Sequence, residues 1–172
     1  IDVSLVGSEM CIRDRTYGAF RLGRDILSKG KIDLLFIESA VNELHNSRTR
    51  DDIVKAVEGI ILQARRQTQY MDMVAQYLYD MPYVESYRKG ITPWQIAALD
   101  RISLQYGINA IDQAKQVTRW FDSGEIPAQK FGGCHPKPVG HQAYGEMIDR
   151  LLDHGWKEPV TQSLIPHPGS RR

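Results

Sequence analysis

The chain has 172 residues, is 42% hydrophobic and 25% charged, and carries a formal net charge of +1. That length builds one sizeable core and hardly two, the charge leaves no electrostatic footprint for nucleic acid or an acidic membrane surface, and no apolar run approaches the thickness of a bilayer. The two cysteines, Cys11 and Cys134, exclude a disulfide framework and a four-ligand zinc site, and no pattern for a cofactor or another metal stands out.

The chain begins at Ile1, with no basic, apolar, small-residue signal peptide in view. Val3–Arg15, "VSLVGSEMCIRDR", resembles read-through of a sequencing adaptor, so residues 1–15 are expected to be non-native and native protein to begin near Thr16; a short strand, "DVSLVG", is the plainer alternative. Leu22, Ile26 and Leu27 then recur at helical spacing, with Gly30 placed just past a helix end. "IDLLFIESA" is a short apolar run closed by an acid, the pattern of a parallel strand buried on both faces. After a polar loop, Ile53, Val57, Ile60, Ile61 and Ala64 mark one helical face, with Asp51 and Asp52 at its positive end and Arg65 and Arg66 at its negative end.

"MDMVAQYLYD" predicts a second strand. "TPWQIAALDRISLQYG" predicts a helix with Thr92 as N-cap, Pro93 at N1, Gln95 completing a capping box and Gly107 closing it. "INAID" reads as a third strand and "QAKQVTRWF" as a helix. A last helix opens at Pro138, buries Val139, Ala143, Met147 and Leu151, and stops at Gly155. The proline-rich residues 158–172 read as a linker or truncated tail, leaving residues 16–157 as the domain.

Strands alternating with helices predict a parallel sheet covered on both faces, in which ligands gather at the carboxyl ends of the strands. Two unusual loops, "ESAVNE" and "FGGCHP", fall there. Asn42 in the first could donate its amide hydrogen to a developing oxyanion, or bond its own backbone as loop asparagines commonly do. His135 in the second could serve as a general base, or simply pack beside Pro136 and Pro138. Glu38 reads as a strand-end residue and Glu43 as solvated. Tyr70, Tyr77, Tyr79 and Tyr83 read as core and rim, Trp94 and Cys134 as packing residues, and His141 as lying along its helix.

From about Tyr17 to Trp156 the chain resembles the SGNH (GDSL-type) hydrolases, a family of serine esterases and acylhydrolases. "YGAFRLGRDILSKGKIDLLFIESAVNE" is similar to the stretch running from just past the family's second block through its third, and "GGCHPKPVGHQAYGEMI" to its fifth block, where the catalytic histidine precedes a proline and a helix. The resemblance implies a three-layer α/β/α sandwich with a flavodoxin-like parallel sheet. It makes Asn42 an oxyanion-hole donor and His135 the base that activates a serine. The substrate it implies is a carboxylic ester of a small molecule or carbohydrate.

The chain departs from that pattern in two places. No "GDS" block occurs, Ser8 and Ser39 do not match by context, and the first strand that would carry the nucleophile is missing, so the chain alone is expected to be catalytically poor. The common triad aspartate, three residues before the histidine, is Gly132 here. Asp122, Glu125, a backbone carbonyl or no strong partner remain as ways of holding the imidazole. A non-catalytic α/β binding module with a relic site is the alternative. A phosphate or nucleotide binder is disfavoured because no glycine-rich loop follows a strand. Compartment, secreted and periplasmic included, and oligomeric state are left open.

Overall fold

The computed structural model describes residues 15–157, apart from 39, 46–48 and 68–70. All of the expected adaptor-like segment but Arg15, and the tail, Ser8, Ser39 and Tyr70, lie outside the described residues.

Three parallel strands, β1 (Leu34–Glu38), β2 (Asp72–Gln76) and β3 (Asn109–Ile111), form a sheet in the order β1-β2-β3. Leu34 pairs with Asp72 and Val74 with Asn109 in register. Burial follows position in the sheet. In the central β2, Met73, Val74 and Ala75 are all buried, whereas β3 exposes Asn109 and Ala110 at the margin. In β1 only alternate residues, Leu35 and Ile37, are fully buried, so the strand expected to be covered on both faces is only half-covered on one.

Helix α1 (Arg15–Asp25) is followed by one 3-10 turn (Leu27–Lys29). It packs on α3 (Arg50–Gln67), which packs in turn on α5 (Trp94–Tyr106). The predicted apolar face of α3 is its buried face: Ile53, Val57, Ile60, Ile61 and Ala64 are buried, joined by Ala56. Burying each large aliphatic side chain there contributes about 1.5–3 kcal/mol. Its start is closed by a reciprocal cap, in which the Asp52 amide donates to Thr49 Oγ1 (3.2 Å) and the Thr49 amide to Asp52 Oδ2 (3.3 Å).

Helix α8 (Pro138–Lys157) has α7 (Ala128–Phe131) packed against it. The result is an α/β/α arrangement around a small parallel sheet. Two further helices, α4 (Met81–Arg88) and α6 (Gln113–Ser123), pack on each other. No helix among the described residues is long and apolar enough to cross a membrane.

Several elements differ from their sequence patterns. "YLYD" does not extend β2. The Tyr77 amide bonds Ile111 O (3.0 Å) and its carbonyl receives Ala114 N (2.8 Å), so the chain leaves the ladder to tie β2 to the start of α6. The next turn is α4, capped by Asp80, whose side chain accepts from the Met81 amide, with a proline in its first turn. The cap residue, Asp80, is the last residue of the stretch read as a strand. "AVNELH" is a short helix, α2 (Ala40–His45), so Asn42 is helical rather than a loop residue.

Thr92 caps nothing. Pro93 (φ −53°, ψ 135°) sits at the cap position of α5 without a side-chain bond, and Gln95 is buried instead of reaching back. Helix α8 runs past the expected stop at Gly155 to Lys157. Its Val139 is 42% exposed and Leu151 half-buried, while Ala143 and Met147 are buried as expected.

Candidate active site

The carboxyl ends of β1 and β2 are drawn together by three tyrosines. Tyr83 of α4 donates from its hydroxyl to the carbonyl of Ala40 (2.5 Å), fixing the start of α2 just beyond β1. Tyr79, past the end of β2, donates from its hydroxyl to the carbonyl of Gly132 (2.7 Å). The Tyr144 hydroxyl of α8 accepts from the backbone amide of Tyr79 (3.1 Å). Burial raises the Tyr144 phenol above its ordinary range, partly offset by that bond and reinforced by Glu38, Tyr79 and Asp80 nearby. Glu38 ends β1, as its sequence position implied, so one electrostatic neighbourhood spans both strand ends and α8.

His135 rides on the link between α7 and α8. Lys137 N donates to Phe131 O (2.7 Å), Gly132 N to Ala128 O (3.0 Å), and Gly132 and Pro136 form an isolated antiparallel bridge. The six-residue reversal is thus held by its own backbone, with His135 exposed at its tip and Cys134 half-buried beside it. Phe131 anchors it from below. This ring is fully buried and meets Tyr79, Phe121 and Tyr144 edge-on at centroid distances of 5.3, 5.7 and 5.3 Å.

Two glycines are required here. Gly132 has φ +102°, and a Cβ there would lie 2.8 Å from Lys137 N. Gly140 lets the first turn of α8 approach so closely that a Cβ would lie 2.7 Å from both Phe131 O and Pro136 Cβ. The position at which an aspartate was expected is therefore one that no side chain can occupy in this turn.

Asn42 is the third residue of α2 and half-buried. It lies just past the carboxyl end of β1, the strand beside β2, beyond which Tyr79 holds the His135 loop. Asp122, in the last turn of α6, accepts at Oδ1 from Arg88 Nε and Nη2 of α4, both at 2.8 Å. Glu125 is exposed in the turn between α6 and α7, its amide donating to Ser123 Oγ (3.3 Å).

Tyr77, Tyr79 and Tyr83 are buried, as the core reading expected. Trp94 is 45% exposed and does not pack, because α5 begins at Trp94 and its ring projects from the first turn. Cys134, expected to be buried, is half-buried because the loop places it just before the exposed tip. His141 is exposed.

The connection from Tyr79 to Gly132 was not read from the sequence. The available signal was a tyrosine just past a strand, since a buried phenol usually finds a partner for its hydroxyl. Among the described residues no group of three His, Cys, Asp or Glu side chains could hold a metal ion. A hollow of about 320 Å³ lies between α5 and β3, lined by Asp100, Arg101, Ser103, Leu104, Ile108 and Ala110, and shares no residue with the His135 loop.

The fold belongs to the three-layer α/β class with a parallel sheet, and a solved structure shares it. A crystal structure of a two-domain esterase (CEX) active on acetylated mannans aligns with a TM-score of 0.72 and 20% identity, over 92% of this chain and 40% of that one. The same kind of esterase co-crystallised with mannopentaose aligns with a TM-score of 0.69 and 19% identity, over 88% and 39% of the two chains. The chain thus spans about two fifths of the length of either structure. No family model and no curated protein matches the sequence.

Proposed function

We propose that the chain is the larger part of a carbohydrate-ester hydrolase domain of the SGNH type, with His135 as general base and Asn42 as side-chain donor to the oxyanion hole. The serine would come from a block outside the 172 residues, on a strand paired with the outer edge of β1. That edge has no partner among the described residues, and a bare strand edge is a ready template for another strand.

In this reading the serine hydroxyl attacks the ester carbonyl and His135 takes its proton. Asn42 stabilises the tetrahedral oxyanion, and the protonated imidazole returns the proton to the departing sugar hydroxyl. Water then releases the acid by the same steps. The observation that carries the reading is the backbone-locked loop holding His135 at the carboxyl edge of the sheet. The shared fold with an esterase active on acetylated mannans points to an O-acetylated carbohydrate as the substrate class.

The test uses the gene upstream of Thr16 and the protein carrying that native segment. A "GDS" block there and hydrolysis of p-nitrophenyl acetate and acetylated mannan are expected. His135→Ala should lower kcat by about a thousandfold or more, and Asn42→Ala by about a hundredfold. Turnover unchanged in His135→Ala would mean that the base is misassigned. An intact upstream region without a serine would favour a binding module.

A further inference from the structure

We propose that Tyr79 is the positioning residue for His135: its hydroxyl, clamped on the Gly132 carbonyl, sets the placement of the loop that presents the imidazole. This rests on the reading of His135 as the base. The loop is closed on itself by Lys137 N to Phe131 O and by the Gly132–Pro136 bridge, so it moves as one piece. A piece of that kind still needs an attachment to the sheet, and the 2.7 Å bond from Tyr79 supplies one three residues from His135.

Tyr79 itself is fixed from three sides. Its ring stands edge-on to Phe121 and Phe131, both at 5.3 Å, and its backbone amide donates to the Tyr144 hydroxyl. It is 2% exposed, so water does not compete for the bond. Residue 132 cannot carry a side chain toward His135 in this turn. Its carbonyl is one group by which the loop is held, and Tyr79 holds it.

The test is made on the isotopically labelled 172-residue chain, so it does not depend on turnover and stands apart from the esterase test. Tyr79→Phe keeps the ring and its packing and removes only the hydroxyl. It should shift the Gly132 carbonyl-carbon resonance and move both the imidazole ¹⁵N shifts and the titration curve of His135, assigned with His135→Gln. Tyr144→Phe removes a hydroxyl from the same cluster but leaves the bond to Gly132 in place, and should leave the His135 titration as in wild type. Equal effects of the two variants on His135, or none from Tyr79→Phe, would overturn the proposal.

If Tyr79→Phe does not fold, 3-fluorotyrosine incorporated at position 79 provides a nearly isosteric, stronger donor. It should shift the Gly132 carbonyl in the direction expected of a stronger bond, and no shift would overturn the proposal. In the full-length enzyme, Tyr79→Phe should lower kcat about ten- to a hundredfold with KM unchanged, as misplacement of a catalytic group does.

Discussion

Replacing Gly140 with alanine sets two opposed effects against each other at one position. Gly140 lies in the first turn of α8, and alanine is favoured over glycine in a helix by up to about 1 kcal/mol. Against that, the new Cβ would stand 2.7 Å from the Phe131 carbonyl oxygen and 2.7 Å from Pro136 Cβ, with Phe131 Cδ1 at 3.1 Å. The first two contacts are about 0.7 Å inside normal approach, and they involve backbone and a proline ring. Neither can rotate away, and the oxygen is already engaged by Lys137 N.

Overpacking of this kind costs about 1–3 kcal/mol, so Gly140→Ala should lower stability by about 1–2 kcal/mol despite the gain in propensity. Gly145→Ala, in the same helix, meets nothing within 4 Å and should stabilise by about 0.5–1 kcal/mol. Urea denaturation of both variants measures the contrast, about 2 kcal/mol in total, which in a domain of this size corresponds to a Tm separation of roughly 4–8 °C. If Gly140→Ala is as stable as wild type or more so, the close approach of α8 to the His135 loop is not rigid and the reasoning fails.

Burial raises the Asp112 carboxyl above its ordinary 3.8, although it receives bonds from the Tyr87 hydroxyl (2.5 Å) and the Lys115 amide (2.9 Å). The folded chain therefore holds this proton more tightly than the unfolded chain, and the contribution to stability falls as pH rises from about 3.8 through the folded value. Asp112→Asn, which keeps the cap on α6, should remove that fall when urea midpoints are compared across pH; parallel profiles would refute it. Gln113 is fully buried and its amide has no hydrogen-bond partner among the described residues. Gln113→Leu should stabilise by about 1–2 kcal/mol in the same assay, and a loss would show that the amide is satisfied. Gly132→Asp should not supply a triad acid. It should destabilise by about 2–4 kcal/mol, because φ +102° and the 2.8 Å approach to Lys137 N both oppose a side chain, and a stable variant would mean that the turn can reopen.

What was legible in the sequence depended on how local the determinant was. The apolar face of α3, the three strands and the opening of α8 at Pro138 were readable because periodicity and proline act within a few residues. The limits of β2 were not, since they depend on Tyr77 bonding Ile111 and Ala114 more than thirty residues away. The cap of α5 failed by one position. Pro93 takes an extended ψ, and Gln95 is drawn into the core by burial that no local motif announces. Val139, placed on a buried helical face by its spacing, and Trp94, read as a packing residue, are both exposed in the first turns of their helices.

For the candidate site, the sequence showed which residues to watch but not what holds them. "FGGCHP" read as a departure from a pattern in which a carboxylate precedes the histidine, and the open question was which other acid takes over. The geometry changes that question. Residue 132 adopts a backbone conformation open only to glycine, its carbonyl is taken by a phenol from beyond β2, and its amide bonds back into α7. A loop built in this way sets the course of the backbone that carries His135. An acid placed at 132 would break the turn that carries His135. The glycine at 132, the tyrosine at 79 and the glycine at 140 are therefore parts of one structural solution, and a substitution at any one of them should disturb His135 more than its own exposure or charge would suggest.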